Sequence, residues 1–386
     1  MTLTLAAVLL TRFNFNKHFE GVYVLRGEGI RLVELKNGLL LGEEGRLVWG
    51  HDFEDPRIVH ARAEDPGRPG QAYLEYEWDP ATGSGFVSNH YPGGRTLQTV
   101  FSRYEGEDGN TTHGLFVGGA LSRAVESRDP LARNNSGMSY FDGTRWLHIW
   151  CNANETVATG HMDTFVTPSG WRYIGSRVER VSDTVLVLSS THSLTVEGAP
   201  LRVRKTASFR AGDTYFLSTI EFRNTGDRPA IFAYGYGDEP WLGNFGSSGG
   251  NVGWVEGRII NTVGAVDTRR YGYVGMFDYG NDLLGQGHGF TMAANFIQWF
   301  GPDRPEAFFS NKPDEFPGKY ADAPLRGNSR FVGLMWGPVR LAPGETKSFT
   351  FAVGMAQYDA SRGMPVKPEV NPDYGRESGV ESGRSI

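Results

Sequence analysis

Residues 201–242 constrain the fold more than any other part of the sequence. This segment contains three runs whose side chains alternate in character, beginning with residues 202–209 and 216–222. Turn residues separate the runs, Ala-Gly-Asp at 211–213 and Asn-Thr-Gly-Asp at 224–227. A period of two residues is typical of strands that bury one face. The segment therefore predicts antiparallel strands joined by tight turns.

The same alternation recurs along the rest of the chain. An Asn-Gly pair at residues 37–38 lies between two apolar runs, which is a strong sequence signal for a β-hairpin. Further alternating runs, separated by Gly, Asn, Asp or Pro, occur at residues 72–78, 178–188, 331–336 and 348–353. No long amphipathic helix is indicated, so the pattern as a whole predicts an all-β protein.

No change in composition divides the chain into separate units. We therefore predict one domain over residues 1–358, a large two-sheet antiparallel β-sandwich. Gly accounts for 52 of the 386 residues, about twice the usual share, which fits many tight turns between strands. Polar residues, Pro and Gly dominate the remainder, so we predict that residues 359–386 form a partly disordered C-terminal tail.

Charge and cysteine content exclude several classes of function. The formal net charge is −6 and no basic tract is present, which argues against a nucleic-acid partner or an anionic membrane surface. Cys151 is the only cysteine, so the chain has neither an internal disulfide nor a cysteine zinc site. We predict that Cys151 is a small buried apolar residue. The oligomeric state stays open.

The first ten residues are apolar. They lack a basic leading region and a small-residue cleavage site, and they are too short to span a bilayer. A first strand is the favoured interpretation, and a truncated export signal is the alternative. We therefore predict no membrane insertion, and a cytoplasmic location is favoured.

An acidic and aromatic cluster ends the third run of the 201–242 segment. Asp238 and Glu239 are adjacent there, and side chains that follow one another on a strand point to opposite faces. Both carboxyls serve one site only if Pro240 ends the strand. One interpretation is a general acid or base whose pKa is raised by its surroundings, and the other is a carboxylate that caps a loop. The aromatic residues that accompany the two carboxyls are Tyr236, Trp241 and Trp254.

Two further groups complete the candidate site. Residues 243–251 are rich in Gly, Ser and Asn, and the amides of Asn244 and Asn251 suit hydrogen bonds to a sugar, although a flexible surface loop is the alternative. Of the nine histidines, His113 and His148 are the strongest catalytic candidates, because a two-sheet fold gathers such groups on one concave face. The rings predicted to stack on a sugar are Trp150, Trp241, Trp254 and Trp299.

Metal-binding patterns are weak in this sequence. No His-x-x-x-His or similar zinc motif is present. The cluster His-Asp-Phe-Glu-Asp at residues 51–55 suits calcium through its carboxylates, but it lacks the regular Asp-x-Asp-x-Asp-Gly loop, and a solvated turn is the alternative. We therefore predict no metal site and no cofactor, with calcium at residues 51–55 as the exception to test.

Several segments resemble the galactose-mutarotase-like "supersandwich" proteins. The segment at 196–229, VEGAPLRVRKTASFRAGDTYFLSTIEFRNTGDRP, is similar to the middle strands of that fold, and the Leu-Ala-Pro-Gly-Glu that begins at residue 341 is similar to its closing strands. His-Gly-Leu-Phe at 113–116 resembles a segment of several hexose mutarotases. The resemblance covers about half of the chain, and it implies the supersandwich fold.

The same resemblance implies part of a mutarotase site. Members of that family hold the sugar with two histidines and use a late carboxylate as the general base. His113 matches the first histidine, whereas residues 237–241, Gly-Asp-Glu-Pro-Trp, stand where the second is expected. The late carboxylate falls near residues 298–311, which include Glu306. The chain therefore resembles a member of the superfamily that diverges from true aldose 1-epimerases.

Together these features predict a carbohydrate-active protein that binds a sugar or short glycan on a concave sheet face. Asp238, Glu239 and a histidine would transfer protons in an epimerase-like or mutarotase-like, lyase or glycoside hydrolase reaction. Elimination beside a uronate would also need a group such as Arg95 or Asn244 to neutralise the carboxylate. The alternative is a non-catalytic glycan-binding or structural β-sandwich protein.

Overall fold

The computed structural model describes most of the chain after residue 69. The described residues are 70–105, 111–118, 137–151, 153–182, 184–243, 249–279, 291, 293–312, 322–326 and 330–374, together with the backbone of five short strands between residues 21 and 62. They form 27 β-strands and one turn of 3-10 helix at Pro168–Gly170, and no α-helix is found among them. The predicted all-β fold is confirmed.

The first two sheets are formed by the first half of the chain. The first sheet contains β1 (Gly21–Arg26), β2 (Gly29–Leu35), β3 (Leu40–Leu41) and β4 (Leu47–Val48), in that order. Its β2 and β3 are antiparallel neighbours, which confirms the hairpin predicted around residues 37–38. The second sheet has the order β11-β10-β8-β7-β6-β5, with β9 also paired to β8. Its strands are β5 (Val59–Arg62), β6 (Tyr73–Asp79), β7 (Ser84–Tyr91), β8 (Arg95–Glu105), β9 (Thr111–Val117), β10 (Met138–Phe141) and β11 (Trp146–Trp150).

The third and fourth sheets are formed by residues 153–366. The third sheet has the order β13-β12-β18-β25-β24-β21. Its strands are β12 (Ala153–Thr159), β13 (Phe165–Val166), β18 (Ala230–Asp238), β21 (Gly264–Val266), β24 (Glu306–Ser310) and β25 (Phe331–Leu341). The fourth sheet has the order β14-β15-β16-β17-β26-β23-β22-β19-β20, with β27 also paired to β26. Its strands are β14 (Arg172–Val181), β15 (Val185–Val196), β16 (Ala199–Arg210), β17 (Tyr215–Asn224), β19 (Asn251–Val255), β20 (Arg258–Ile260), β22 (Tyr273–Asp278), β23 (Ala294–Phe300), β26 (Thr346–Asp359) and β27 (Met364–Val366).

A hydrophobic core joins the second, third and fourth sheets. Phe222 of β17 packs against Phe232 of β18 with 4.9 Å between ring centroids, which brings the fourth sheet onto the third. Phe101 of β8 lies 5.8 Å from Phe216 of β17, which brings the second sheet onto the fourth. The predicted antiparallel β-sandwich is confirmed, although the described strands are divided among four hydrogen-bonded sheets rather than two. The extension of a single domain to residue 1 stays a prediction.

The turn at residues 224–227 moves the chain from the fourth sheet to the third. Asn224 is fully buried, and its side-chain amide donates to the carbonyls of Arg228 at 2.8 Å and Leu341 at 3.0 Å. The same side chain accepts from the backbone N–H of Gly226 at 2.9 Å. All of these bonds satisfy polar groups that are removed from water, which fixes the path into β18.

The predicted tail boundary at residue 359 needs correction. β27 pairs with β26, and Tyr374 is only 3% exposed, with its hydroxyl donating to the carbonyl of Ser208 at 3.1 Å. The ring of Tyr374 lies 6.3 Å from that of Tyr215 on the outer face of the fourth sheet. Because most of this segment is polar, its composition did not indicate that a few apolar residues cover an apolar sheet face. Residues 375–386 lie outside the described residues.

We expect Tyr374→Ala to lower the free energy of unfolding by about 3 kcal/mol, because it removes a buried aromatic side chain. Urea denaturation measures the change. Tyr279→Ala is the matched control, since Tyr279 is 56% exposed and its loss should cost well under half as much. Equal effects of the two substitutions would mean that the segment after β27 does not stabilise the sheet.

Candidate functional site

The chain leaves β18 through a bend, residues 238–243, beside the first residues of β12 and β25. Asp238 is the last residue of β18, and it pairs with Ala153 and Val332. Its side chain is 1% exposed, and its carboxylate accepts a hydrogen bond of 2.6 Å from the backbone N–H of Cys151. Cys151 is itself buried, as predicted. Asp238 therefore fixes the start of the bend from inside the protein.

Buried polar groups hold the other end of the bend. The backbone of Gly243 exchanges two hydrogen bonds with that of His148, of 2.9 and 3.0 Å, and the N–H of Leu242 donates to the side chain of Asn251 at 3.0 Å. Gly243 has a φ of +86°, and a Cβ there would lie 2.6 Å from a carboxylate oxygen of Asp278. Only glycine fits this position, because the backbone must approach Asp278 closely.

Trp241 has a strained backbone at the centre of the bend. Its φ is +45°, a left-handed conformation that bulky residues rarely adopt and that costs on the order of 1–3 kcal/mol. The indole Nε1 of Trp241 donates to the carboxylate of Glu239 at 2.5 Å. Both side chains are partly exposed to solvent. The bend therefore presents an aromatic ring and a carboxylate together at the surface, supported from below by the buried groups.

His148 lies beneath the bend in a neutral state. The side chain is 6% exposed, and burial lowers the pKa of its imidazole to about 3. A neutral imidazole at physiological pH is the result. His148 therefore contacts the bend through its backbone bonds to Gly243, whereas its ring is withdrawn from solvent.

Sequence reasoning missed two buried residues that brace this end of the molecule. Asp278, the last residue of β22, is 4% exposed and accepts hydrogen bonds from the hydroxyl and the N–H of Thr291 at 2.5 and 3.2 Å. Arg330 is 5% exposed, donates to the carbonyl of Asn251 at 2.6 Å, and has a pKa lowered by burial. Asp278 ends β22 and Arg330 directly precedes β25, and these positions at strand ends were the only sequence signal. Both residues meet at Asn251, which pairs with Asp278 and accepts from Arg330.

Four aromatic residues predicted to contact a sugar lie in the core instead. Trp150 and Trp254 are each 1% exposed, and their indoles donate to the carbonyls of Gly354 at 3.1 Å and Asn295 at 3.0 Å. Such rings offer no free face to a ligand, so the structure does not support stacking at these positions. The side chains of Trp299 and Tyr236 are likewise buried, at 7% and 5% exposure.

The remaining predicted residues lie in other places. His113 belongs to β9, where its carbonyl accepts from His192 at 2.7 Å and its ring packs edge-on against Tyr173. Arg95 begins β8, is exposed, and donates to the carbonyl of Pro92 at 3.4 Å. Glu306 begins β24 and is level with Gly235, three residues before Asp238, which corresponds to about 10 Å along the strand. The structure thus gathers Asp238, Glu239 and Trp241 but leaves these three residues on other strands.

Some predictions concern residues that are outside the described part of the chain. Asn244 and the calcium candidate at residues 51–55 are among them. Within the described residues, no group of three or more His, Cys, Asp or Glu side chains could hold a metal ion. In the same part of the chain, no helix has the length and apolar character needed to cross a membrane.

Comparison with known proteins gives structural similarities alone. No family model and no curated protein matches the chain. A putative aldose 1-epimerase from Klebsiella pneumoniae aligns over 79% of this chain and 88% of its own, with 12% identity and a TM-score of 0.41. A galactose mutarotase-like protein from Clostridium acetobutylicum aligns over 75% of this chain and 99% of its own, with 8% identity and a TM-score of 0.38.

A heparan sulfate lyase from Pedobacter heparinus aligns over 74% of this chain, with 13% identity and a TM-score of 0.35. The alignment covers 37% of the lyase, so the chain spans well under half of that protein. At low sequence identity, the chain is thus similar in structure to galactose mutarotase-like proteins.

Proposed function

We propose that the protein binds a sugar at the bend of residues 238–243 and acts on it by proton transfer through Glu239. The observation that carries the proposal is the pairing of Trp241 and Glu239. A strained backbone holds the indole at the surface, and its Nε1 donates to the carboxylate at 2.5 Å. Strained residues collect at functional sites, where the surrounding structure maintains them.

The two side chains suit the two parts of a sugar. The face of an indole is apolar and binds the C–H face of a pyranose ring, whereas the hydroxyls at the edge of the ring need polar partners. Glu239 lies next to the Trp241 ring, so a sugar stacked on the indole would present its edge to this carboxylate. The buried supports of the bend hold this arrangement before any ligand arrives, which reduces the cost of ordering on binding.

The geometry favours an epimerase-like or lyase-like reaction over hydrolysis. Hydrolysis of a glycosidic bond needs two carboxylates on either side of the bond. Of the two at the bend, Asp238 is 1% exposed and accepts from the N–H of Cys151, so Glu239 alone is open to a ligand. A single carboxylate can remove a proton from a sugar carbon or hydroxyl and return it.

We expect Glu239→Gln to lower turnover by about a hundredfold or more while leaving sugar affinity nearly unchanged. The glutamine oxygen can still accept from the indole of Trp241, so the bend should keep its shape. Trp241→Ala should instead weaken binding by about tenfold, because it removes the stacking surface. Glu256→Gln, at an exposed carboxylate between β19 and β20, is the matched control and should change neither property.

The test begins with a thermal-shift screen of neutral sugars, uronates and oligosaccharides. A ligand that binds only the folded state raises the melting temperature, and NMR then follows anomeric exchange, epimerisation or elimination of that ligand. Full activity in Glu239→Gln would rule out the proposed base. No stabilisation by any sugar in the wild-type protein would rule out sugar binding at the bend.

A further inference from the structure

A second polar feature, separate from the bend, lies on the outer face of the fourth sheet. A groove of about 360 Å³ crosses β14, β15, β16 and β17. The neighbouring residues Val203 and Phe222 point into the core, so the groove occupies the opposite, solvent-facing side of these strands. Its wall includes four arginines, Arg177, Arg202, Arg204 and Arg223.

The arginines are not neutralised equally. Arg204 and Arg177 both bind the carboxylate of Glu179, with N–O distances of 2.5 and 3.0 Å. Arg202 and Arg223 are directly opposite each other on β16 and β17, and both are exposed. Neither forms an ion pair with any residue that the structure describes. Like charges placed opposite each other destabilise a sheet by up to about 1 kcal/mol, so this pair costs stability in the free protein.

Register extends the positive charge across the sheet. Arg172 of β14 pairs with Ser193 of β15, which pairs with Arg202, which in turn pairs with Arg223. Three arginines therefore lie in one row across four strands in a chain whose net charge is −6. An anion that binds between Arg202 and Arg223 would remove their mutual repulsion and accept charge-assisted hydrogen bonds from both.

The remaining lining suits hydroxyl groups. Thr191 faces the groove, and Glu221 lies opposite Arg204. Ser189 also lines the groove, but it is 4% exposed and its hydroxyl donates to Glu179 at 2.6 Å. At Gly175 no atom lies within 4 Å of the position that a Cβ would take, so the groove is open at this point. No aromatic ring is among the residues that line the groove, whereas binding of single-stranded nucleic acid depends on such rings.

We propose that this arginine groove binds an acidic oligosaccharide, whose carboxylate or sulfate groups contact Arg202 and Arg223. A sugar acid offers an anion to the arginines and hydroxyl groups to Glu221 and Thr191, whereas a chain of phosphates offers no hydroxyl groups. Arg202 and Arg204 are two residues apart on one strand, about 6.7 Å, so successive sugar units can reach both. The proposal goes beyond the bend and stands on different residues.

The test measures binding of three hexasaccharides by calorimetry: a sulfated one, an oligogalacturonate and neutral maltohexaose. The sulfated and carboxylated arms identify which anion the groove prefers, and maltohexaose should not bind there. The double variant Arg202→Ala/Arg223→Ala is expected to bind the acidic ligand about a hundredfold more weakly, because each charge-assisted contact contributes about tenfold. Added salt should weaken binding of the acidic ligand to the wild-type protein more than binding to this variant.

Further variants test whether binding depends on the groove itself or only on positive charge at the protein surface. Arg269→Ala/Arg270→Ala removes two exposed arginines elsewhere and should leave affinity within twofold. Gly175→Leu fills the groove without changing charge and should weaken binding by at least tenfold. Gly272→Leu is its match, since a Cβ at Gly272 also meets nothing within 4 Å, and it should have no effect.

The outcomes distinguish this proposal from the function proposed for the bend. If Trp241→Ala still binds an acidic hexasaccharide and Arg202→Ala/Arg223→Ala does not, the result supports binding at the groove. This outcome does not depend on whether the bend binds a sugar. Loss of binding only in the Trp241 variant would place the acidic ligand at the bend and overturn the groove. Equal loss in both double arginine variants, or failure of both acidic ligands to bind wild-type protein, would overturn it as well.

Discussion

Lys205→Met is expected to lower the free energy of unfolding by about 3–5 kcal/mol, because it leaves a buried carboxylate without its partner. The ammonium of Lys205 lies 2.5 Å from the carboxylate of Glu155, and the two side chains are 5% and 2% exposed. It also donates to the carbonyl of Leu115 and lies 3.6 Å from the centroid of the Phe116 ring. The hydroxyl of Tyr234 donates to the other oxygen of Glu155 at 3.2 Å.

The loss of stability expected for Lys205→Met arises from the desolvated charge that remains rather than from the lost attraction. Burial lowers the pKa of Lys205, and the adjacent carboxylate of Glu155 opposes this shift. Removing either charge alone leaves the other in a medium of low dielectric, whereas removing both removes the penalty. The double variant Lys205→Met/Glu155→Leu should therefore be more stable than either single variant.

Urea denaturation of the four proteins gives the coupling energy directly. A coupling of 2 kcal/mol or more between the two positions is the expected result. The interpretation fails if Lys205→Met costs less than about 1 kcal/mol, or if the double variant is as unstable as the sum of the two single variants. Arg202→Met, at an exposed position of the same strand, controls for the loss of a long cationic side chain.

Acid is expected to destabilise the protein well above the range in which carboxylates titrate. Burial lowers the pKa of His148 and of His192 to about 3 in the folded protein. The positive charge of Lys205 adds to the effect on His192, and the carbonyl of His113, which accepts from its Nε2, acts in the opposite direction. In the unfolded chain both imidazoles titrate near pH 6.5.

The direction of the pH dependence follows from proton binding. Between pH 6.5 and about 3 the unfolded chain binds a proton at each histidine and the folded protein does not. Stability therefore falls as the pH is lowered through this window, by about 1.4 kcal/mol per pH unit for each histidine once the unfolded form is fully protonated. Two histidines give about 2.7 kcal/mol per unit. Above pH 6.5 neither contributes to the slope.

Chemical denaturation at pH 7.0, 6.0, 5.0 and 4.5 measures this slope. Glutamine at position 192 keeps a donor for the carbonyl of His113 and does not titrate, and glutamine at position 148 likewise does not titrate. The variant His148→Gln/His192→Gln should therefore lose most of the slope below pH 6, even if it is less stable overall. His161→Gln replaces an exposed histidine and is the control. An unchanged slope in the double variant would contradict the assignment.

Local sequence patterns predicted the strands but not how they combine into sheets. The alternation at residues 202–209 and 216–222 predicted β16 and β17, because each strand has one buried face. The third run was predicted as a strand too, and it is one, but β18 belongs to a different sheet. Pairing between β17 and β26 joins residues more than 120 positions apart in sequence, as between Ser218 and Phe351, and no local pattern encodes it.

The candidate site shows the same division. Asp238, Glu239 and Trp241 are close in sequence, so the cluster at the strand end was visible without a structure. Trp150 and Trp254 were assigned to the site because the sequence does not show whether an aromatic residue packs in the core or contacts a ligand. The row that contains Arg202 and Arg223 depends on the register of neighbouring strands, which the sequence alone did not provide.

The position of β26 has a consequence for biosynthesis. Although it is one of the last strands that the structure describes, β26 lies between β17 and β23 in the fourth sheet. While the ribosome is still translating residues 346–359, both neighbours have an open edge toward the missing strand, and open edges invite pairing with other chains. We therefore expect the edges of β17 and β23 to be exposed to such pairing until residues 346–359 have been synthesised. Folding of the fourth sheet can be completed only after β26 has been translated.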